Sequence, residues 1–173
     1  MDWRVLNSSG SIRTQGSLGV TGPTGPTGGS GLSQTLQFLT TGQTVLTSTG
    51  YTAIGLSGSI TPTSASNRIR IQVGPNIALQ YTASGPAPSA NVQVLRGATG
   101  PTVQTFLSVI GNTNATVISM QPYLDCIDSP ATTGATTYVV QAMYSGNATT
   151  HAVNYTGFAG GNPSSYLTLS EIV

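Results

Sequence analysis

The chain has 173 residues, enough for one ordinary domain and an appendage. Only 5% of them are charged, none is lysine, and five arginines stand against four acidic residues. Charge this sparse excludes a basic surface for a nucleic-acid backbone, while plentiful Val, Ile and Leu exclude a disordered chain.

Residues 1–15 carry apolar points at Trp3, Val5, Leu6 and Ile12 but are too few to build a core. They read as an anchor peptide that orders against a partner, with Trp3 as its buried contact. The bland alternative is a frayed terminus. The segment lacks the basic start and apolar run of a signal peptide. No stretch of the chain reaches the roughly 18 apolar residues of a membrane span. A place outside a cell is therefore expected to be reached as part of a particle, without insertion into a membrane.

Residues 16–33 are the most informative segment. Glycine stands at Gly16, Gly19, Gly22, Gly25, Gly28 and Gly31, which makes six unbroken Gly-X-Y triplets. Three chains of a collagen triple helix meet at an axis where only a hydrogen side chain fits. Pro23 and Pro26 fill X positions, where a fixed φ suits the extended polyproline conformation. Such a stalk would be about 50 Å long. Six triplets are marginal alone, so a trimeric head is expected to hold the chains together. A flexible Gly/Ser/Thr linker is the alternative.

Residues 34–173 show β patterning throughout, and they are expected to form the head domain. Arg68 to Val73 alternates polar and apolar, as a half-buried strand does. Further strand-like runs are Leu36–Thr41, Tyr51–Leu56, Asn91–Leu95, Val103–Ile110, Thr116–Met120, Thr137–Tyr144 and Tyr166–Ile172. Turn signals separate them at 41–42, 74–75, 85–86, 111–112 and 145–147. No window keeps a 3.6-residue apolar period. This predicts an all-β fold, a jelly-roll-type sandwich. Joined to a triple helix, it is expected to be trimeric.

Catalytic chemistry finds little support. His151 is the sole histidine, Cys126 the sole cysteine, and Asp125, Asp128 and Glu171 are the head's only carboxylates. A triad would need His151, a serine and a carboxylate to converge without any nucleophile-elbow motif. One cysteine and one histidine cannot build a zinc site within a chain, and glycoside cleavage needs an opposed carboxyl pair. The chain is expected to be no enzyme, with no cofactor and no metal. A metal shared on a three-fold axis is the open alternative. Tyr144, Asn147, His151, Asn154 and Tyr155 cluster in sequence around one turn and form a candidate surface for sugars or proteins. Ordinary turn exposure is the competing explanation.

Several stretches of the head resemble a small β domain found at the C-terminus of tailed-phage fibre and virion structural proteins. Tyr51–Ile71 is similar to that family's opening strands, and Val94–Gly97 to its central strand. Asp128–Gln141 resembles its late turn and strand, and Tyr166–Val173 its terminal strand. The resemblance implies a structural virion protein at the particle surface. Its expected partners are two further copies of itself and a major capsid or other virion protein held by the anchor peptide. A host-surface glycan or protein is a further possible partner. A fifteen-residue anchor is short for a tail fibre, so a capsid fibre or decoration spike is favoured over a receptor-binding tail fibre. A bacterial collagen-like surface protein of the exosporium type is the other alternative, although those carry longer collagen regions.

Overall fold

A computed structural model describes residues 5–6, 12–13, 31–47, 50–81, 87–109, 117–146, 148–157 and 163–173. Regular structure among them is all β. Two short strands, β1 (Val5–Leu6) and β2 (Ile12–Arg13), pair antiparallel. There follow β3 (Leu32–Thr40), β4 (Thr44–Val45), β5 (Thr52–Ile60), β6 (Arg68–Gly74) and β7 (Ile77–Tyr81). Next come β8 (Ser89–Arg96), β9 (Thr102–Val109), β10 (Val117–Met120) and β11 (Leu124–Asp128). The last are β12 (Thr136–Ser145), β13 (Ala148–Val153) and β14 (Ser165–Ile172).

Every run expected from its pattern contains a strand. β6 shows why: Ile69, Ile71 and Val73 are fully buried while Arg68 and Arg70 on the opposite face are exposed. The other twelve strands form three antiparallel four-stranded sheets, ordered β5-β12-β8-β9, β11-β6-β14-β3 and β10-β7-β13-β4. The last two sheets correspond position by position. β3 continues into β4, β6 into β7 and β10 into β11, so together they form one bent layer facing the first.

Counting each bent path as one strand, the layers read 6-3-8-1 and 2-7-4-5 in chain order. The result is a β-sandwich with the strand order of a jelly roll, two interlocked Greek keys. Its core draws on both layers. Ile54, Leu56, Val92, Val94, Tyr138 and Val140 come from one side, and Ile69, Ile71, Ile77, Leu167 and Leu169 from the other. Each fully buried aliphatic side chain contributes about 1.5–3 kcal/mol relative to exposure.

Two expected turns are bends instead. Thr41–Gly42 and Gly74–Pro75 interrupt the ladder, but the chain resumes beside the same neighbours. Pro75 has no N–H to give to a ladder. Gly74 is buried beneath Tyr166, and a Cβ there would lie 2.3 Å from the ring. Backbone groups freed at the bend find side chains. Asn154, fully buried at φ 52°, donates from Nδ2 to the carbonyls of Thr40 (3.0 Å) and Gly42 (3.2 Å). Its Oδ1 accepts from Ser165 Oγ (2.8 Å), and that oxygen accepts the N–H of Asn76 (2.9 Å). Asn154 N–H donates to the Asn76 carbonyl (2.9 Å). Gln121 Nε2 reaches the carbonyls of Gly74 and Ser164, each at 3.1 Å. All four paths of the bent layer are tied at this node.

The head also begins earlier than expected. Leu32 pairs with Ile172, Val173 N–H donates to the Gly31 carbonyl (3.3 Å), and Gly31 has φ 47°. A left-handed Gly31 cannot continue a polyproline helix. Leu32 and Ser33 of the sixth triplet therefore belong to the sandwich, and the repeat before it is residues 16–30.

Removing the Asn154 amide would take a partner from the buried Ser165 hydroxyl and from the Thr40 and Gly42 carbonyls. Asn154→Ala is expected to lower the unfolding free energy by about 1–3 kcal/mol. Asn154→Gly, which keeps the left-handed backbone but not the amide, should fall nearly as far. Chemical denaturation of both variants checks this.

Candidate functional site

The sequence nominated three groups of residues, and the structure treats them differently. Of the stalk set, Gly16, Gly19, Gly22, Pro23, Gly25, Pro26 and Gly28 lie outside the described residues. Gly31 is described and sits at the foot of β3. Of the anchor set, Trp3 lies outside the described residues. Val5, Leu6 and Ile12 fall in the small antiparallel ladder, with Leu6 opposite Ile12.

The cluster around 144–155 is not an exposed turn. β12 and β13 belong to different layers, each as an inner strand of its sheet. Tyr144 and His151 therefore meet across the layers, with ring centroids 4.0 Å apart and planes at 23°. Both are half-buried, as is Tyr155. Asn154 is inside, holding the bend. Asn147 lies outside the described residues. Burial thus removes Asn154 from the candidate binding surface, and Tyr144 and His151 spend their aromatic faces on each other.

Catalytic geometry can be judged from the carboxylates, each of which has its own partners. Asp125 accepts from Arg70 Nε (2.9 Å) and Nη2 (2.5 Å) on the outer face of β11 and β6. Hydrogen bonding and charge from Arg70 hold Asp125 below the usual carboxylate range. Asp128, on the inward side of the same strand, accepts from Arg96 Nε (2.8 Å) and from the buried Tyr138 hydroxyl (2.7 Å). Its second oxygen forms an ion pair with Arg96 Nη2. Burial pushes Asp128 up, but the bonds from Arg96 and Tyr138 outweigh it and the net shift is down. Burial and the bond to Asp128 push the Tyr138 phenol up.

Glu171 is the residue that sequence reasoning passed over. It follows Leu167 and Leu169 at strand spacing and so points inward, where it is fully buried. Four donors surround it. Thr63 N–H (2.5 Å), Thr63 Oγ1 (2.8 Å) and Asn67 Nδ2 (2.7 Å) bond one oxygen, and Gln34 Nε2 (2.8 Å) bonds the other. Burial raises its pKa, but the bonds from Asn67, Gln34 and Thr63 prevail and bring it to about 2, from an ordinary 4.5. The carboxylate thus pins the 61–67 connection to the first and last strands of the head. Its i, i+2, i+4 spacing was legible, but its donors come from remote segments.

No carboxylate is placed to orient His151, whose buried Nδ1 has no hydrogen-bond partner among the described residues. Cys126 packs against the core, where burial, then the charges of Asp125 and Asp128, push its thiol up to about 11. Such a thiol is a poor nucleophile and metal ligand at neutral pH. Among the described residues no three His, Cys, Asp or Glu side chains come together as ligands. None of their helices is long and apolar enough to cross a membrane.

The layer of β5, β12, β8 and β9 presents polar, uncharged pairs outward. Ser59 and Thr137 bond across β5 and β12 (2.7 Å), and Gln93 and Gln141 across β8 and β12 (2.8 Å). The outer face of that layer is a lattice of small hydroxyls and amides.

No protein family matches the sequence, and no curated protein does. Among solved structures, the chain is similar to one in the structure of infectious bursal disease virus strain Gx, with a TM-score of 0.38 and 14% identity. It is similar also to the VP2 subviral particle of infectious bursal disease virus, with a TM-score of 0.32 and 11% identity. Each likeness covers 82% of this chain and 40% of the other, so the chain spans well under half of those proteins. The sandwich architecture rests on the strand order above and not on these likenesses.

The folded-state pKa of Glu171 lies below its ordinary value, so acid favours the unfolded chain over the interval between them. Its contribution is complete above pH 4.5 and is lost as pH falls towards about 2. Glu171→Gln should be less stable at pH 7 and show a shallower loss of melting temperature over that interval. Thermal melts of both proteins from pH 7 to pH 2 check this.

The two ion pairs should also separate by environment. Arg96→Met strands a buried carboxylate, whereas Arg70→Met strands an exposed one. The first is expected to lower the melting temperature clearly and the second hardly at all.

Proposed function

We propose that this chain is the subunit of a trimeric, non-enzymatic fibre or decoration spike on the surface of a virion. Three copies wind residues 16–30 into a short collagen-like stalk and carry β-sandwich heads at its end. The N-terminal peptide, with Trp3, Val5, Leu6 and Ile12, docks the fibre on a capsid protein. The head covers the particle or meets a host-surface glycan or protein through its uncharged hydroxyl and amide surface.

One observation carries this reading. The glycine period runs to Gly31 and the first strand of the sandwich starts at Leu32, so the repeat of residues 16–30 is separated from the sandwich by Gly31 alone. A triple helix delivers three heads in fixed register, and a junction this short preserves that register. The carboxylates of the head, each held by its own partners, and the lack of an oriented base among the described residues favour a structural role over hydrolysis.

Light scattering on the purified chain is expected to give the mass of three copies. Gly22→Ala and Gly25→Ala should abolish the polyproline-type circular-dichroism signal and its melting while leaving the β signal of the head. Deleting residues 1–15 should prevent incorporation into particles without unfolding the head. A monomeric wild-type chain, or a triple-helix signal indifferent to both glycine substitutions, would overturn the stalk; normal incorporation of the truncated chain would overturn the anchor.

A further inference from the structure

Exposed large apolar side chains are not scattered evenly over the head. Leu32 (52% exposed), Leu36 (38%), Leu39 (66%) and Val45 (60%) lie on β3 and β4, which together form one edge of the bent layer. Val173 (56%) joins them at the foot of β3, where its N–H bonds the Gly31 carbonyl. Tyr123 and Ile127 stand apart, at the opposite edge beside β11.

The two edges differ in how they are defended. Proteins blunt a free edge strand with charge, proline, bulges or brevity, because its unpaired backbone recruits other strands. β11 is five residues long and carries Asp125 and Asp128. β3 is nine residues long and, beyond one bulge at its foot where Ser33 is skipped in the pairing, has neither charge nor proline. From Gly31 to Thr47 there is no charged residue at all. A long, uncharged, leucine-bearing edge on a soluble monomer would be a site of aggregation.

Its position in the chain says what covers it. Leu32 directly follows the last triplet glycine, so a triple helix would set three β3 strands beside a common axis at their first residue. The undefended edge is thus the part of the head that the stalk brings nearest to the other copies. We propose that the β3–β4 edge is the subunit interface of the head, with Leu32, Leu36, Leu39 and Val45 covered by a second copy of this chain. The inference rests on the trimeric reading above and adds to it which face is buried. It also assigns the β11 edge, with Tyr123 and Ile127, to the outside of the assembly.

Light scattering on full-length variants tests this. Leu39→Glu and Val45→Glu place a charge on side chains that are mostly exposed in the single chain. Each is expected to reduce the mass from three copies to one while keeping the β circular-dichroism signal. Ile127→Glu, on the opposite edge, should remain at three. Hydroxyl-radical footprinting of the unmodified protein needs no substitution: Leu36 and Leu39 should be protected and Ile127 and Tyr123 labelled. A trimeric wild type whose Leu39 and Leu36 label as freely as Ile127, or whose Leu39→Glu and Val45→Glu variants stay trimeric, would overturn the assignment of the edge and leave the fibre reading standing. A monomeric wild type would overturn both.

Discussion

The sandwich depends on carrying a four-stranded sheet through a bend without leaving buried backbone groups unpaired. The β6–β7, β3–β4 and β10–β11 paths all lose their ladder at the same level, and β13 hands over to β14 there. Buried peptide groups without partners would cost more than the bend gains in covering the core. Asn154 supplies what is missing because an asparagine side chain carries both donors and an acceptor, and because asparagine tolerates the left-handed backbone found there. With Ser165, Asn76 and Gln121 it replaces ladder bonds by side-chain bonds across the whole width of the layer. The layer can then curve over the hydrophobic core instead of lying flat on it.

The few charges of the head follow a related logic. All but Arg68 are engaged with named partners. Asp128 and Arg96 join the two layers at one end, and Tyr138 brings the core's aromatic hydroxyl into the same network. Glu171 binds the first strand, the last strand and the 61–67 connection into one knot. Carboxylates so engaged act as structural acceptors. The exposed surface is left to serine, threonine, asparagine and glutamine. An uncharged surface of this kind is compatible with close packing of copies, since few ions must be stripped of water at a contact.

Much of the fold could be read before any coordinates. Alternation in Arg68–Val73 placed Ile69, Ile71 and Val73 in the core, because side chains one residue apart in a strand point to opposite faces. The strands that were missed, β1, β2, β4, β7, β11 and β13, are short or flanked by signals that mimic turns. Gly74–Pro75 reads as a chain reversal, yet the path continues, because the neighbouring strands and the Asn154 node hold its direction. The 144–155 cluster was legible as a concentration of aromatic and amide residues but not as an interior contact. Tyr144 and His151 lie on strands of different layers, and sequence proximity carries no information about which layer a strand joins.

The sequence by itself determined the class of the molecule: a β domain with a periodic glycine run before it and sparse charge. These follow from local periodicity and from counting, which need no knowledge of distant contacts. Tertiary structure alone decided that the head starts at Leu32, that Asn154 is a buried strut, that Glu171 is a satisfied interior carboxylate, and that β3 lies at an undefended edge. Each of these depends on which remote segments become neighbours. That is set by the sum of many weak long-range contacts and not by any local pattern.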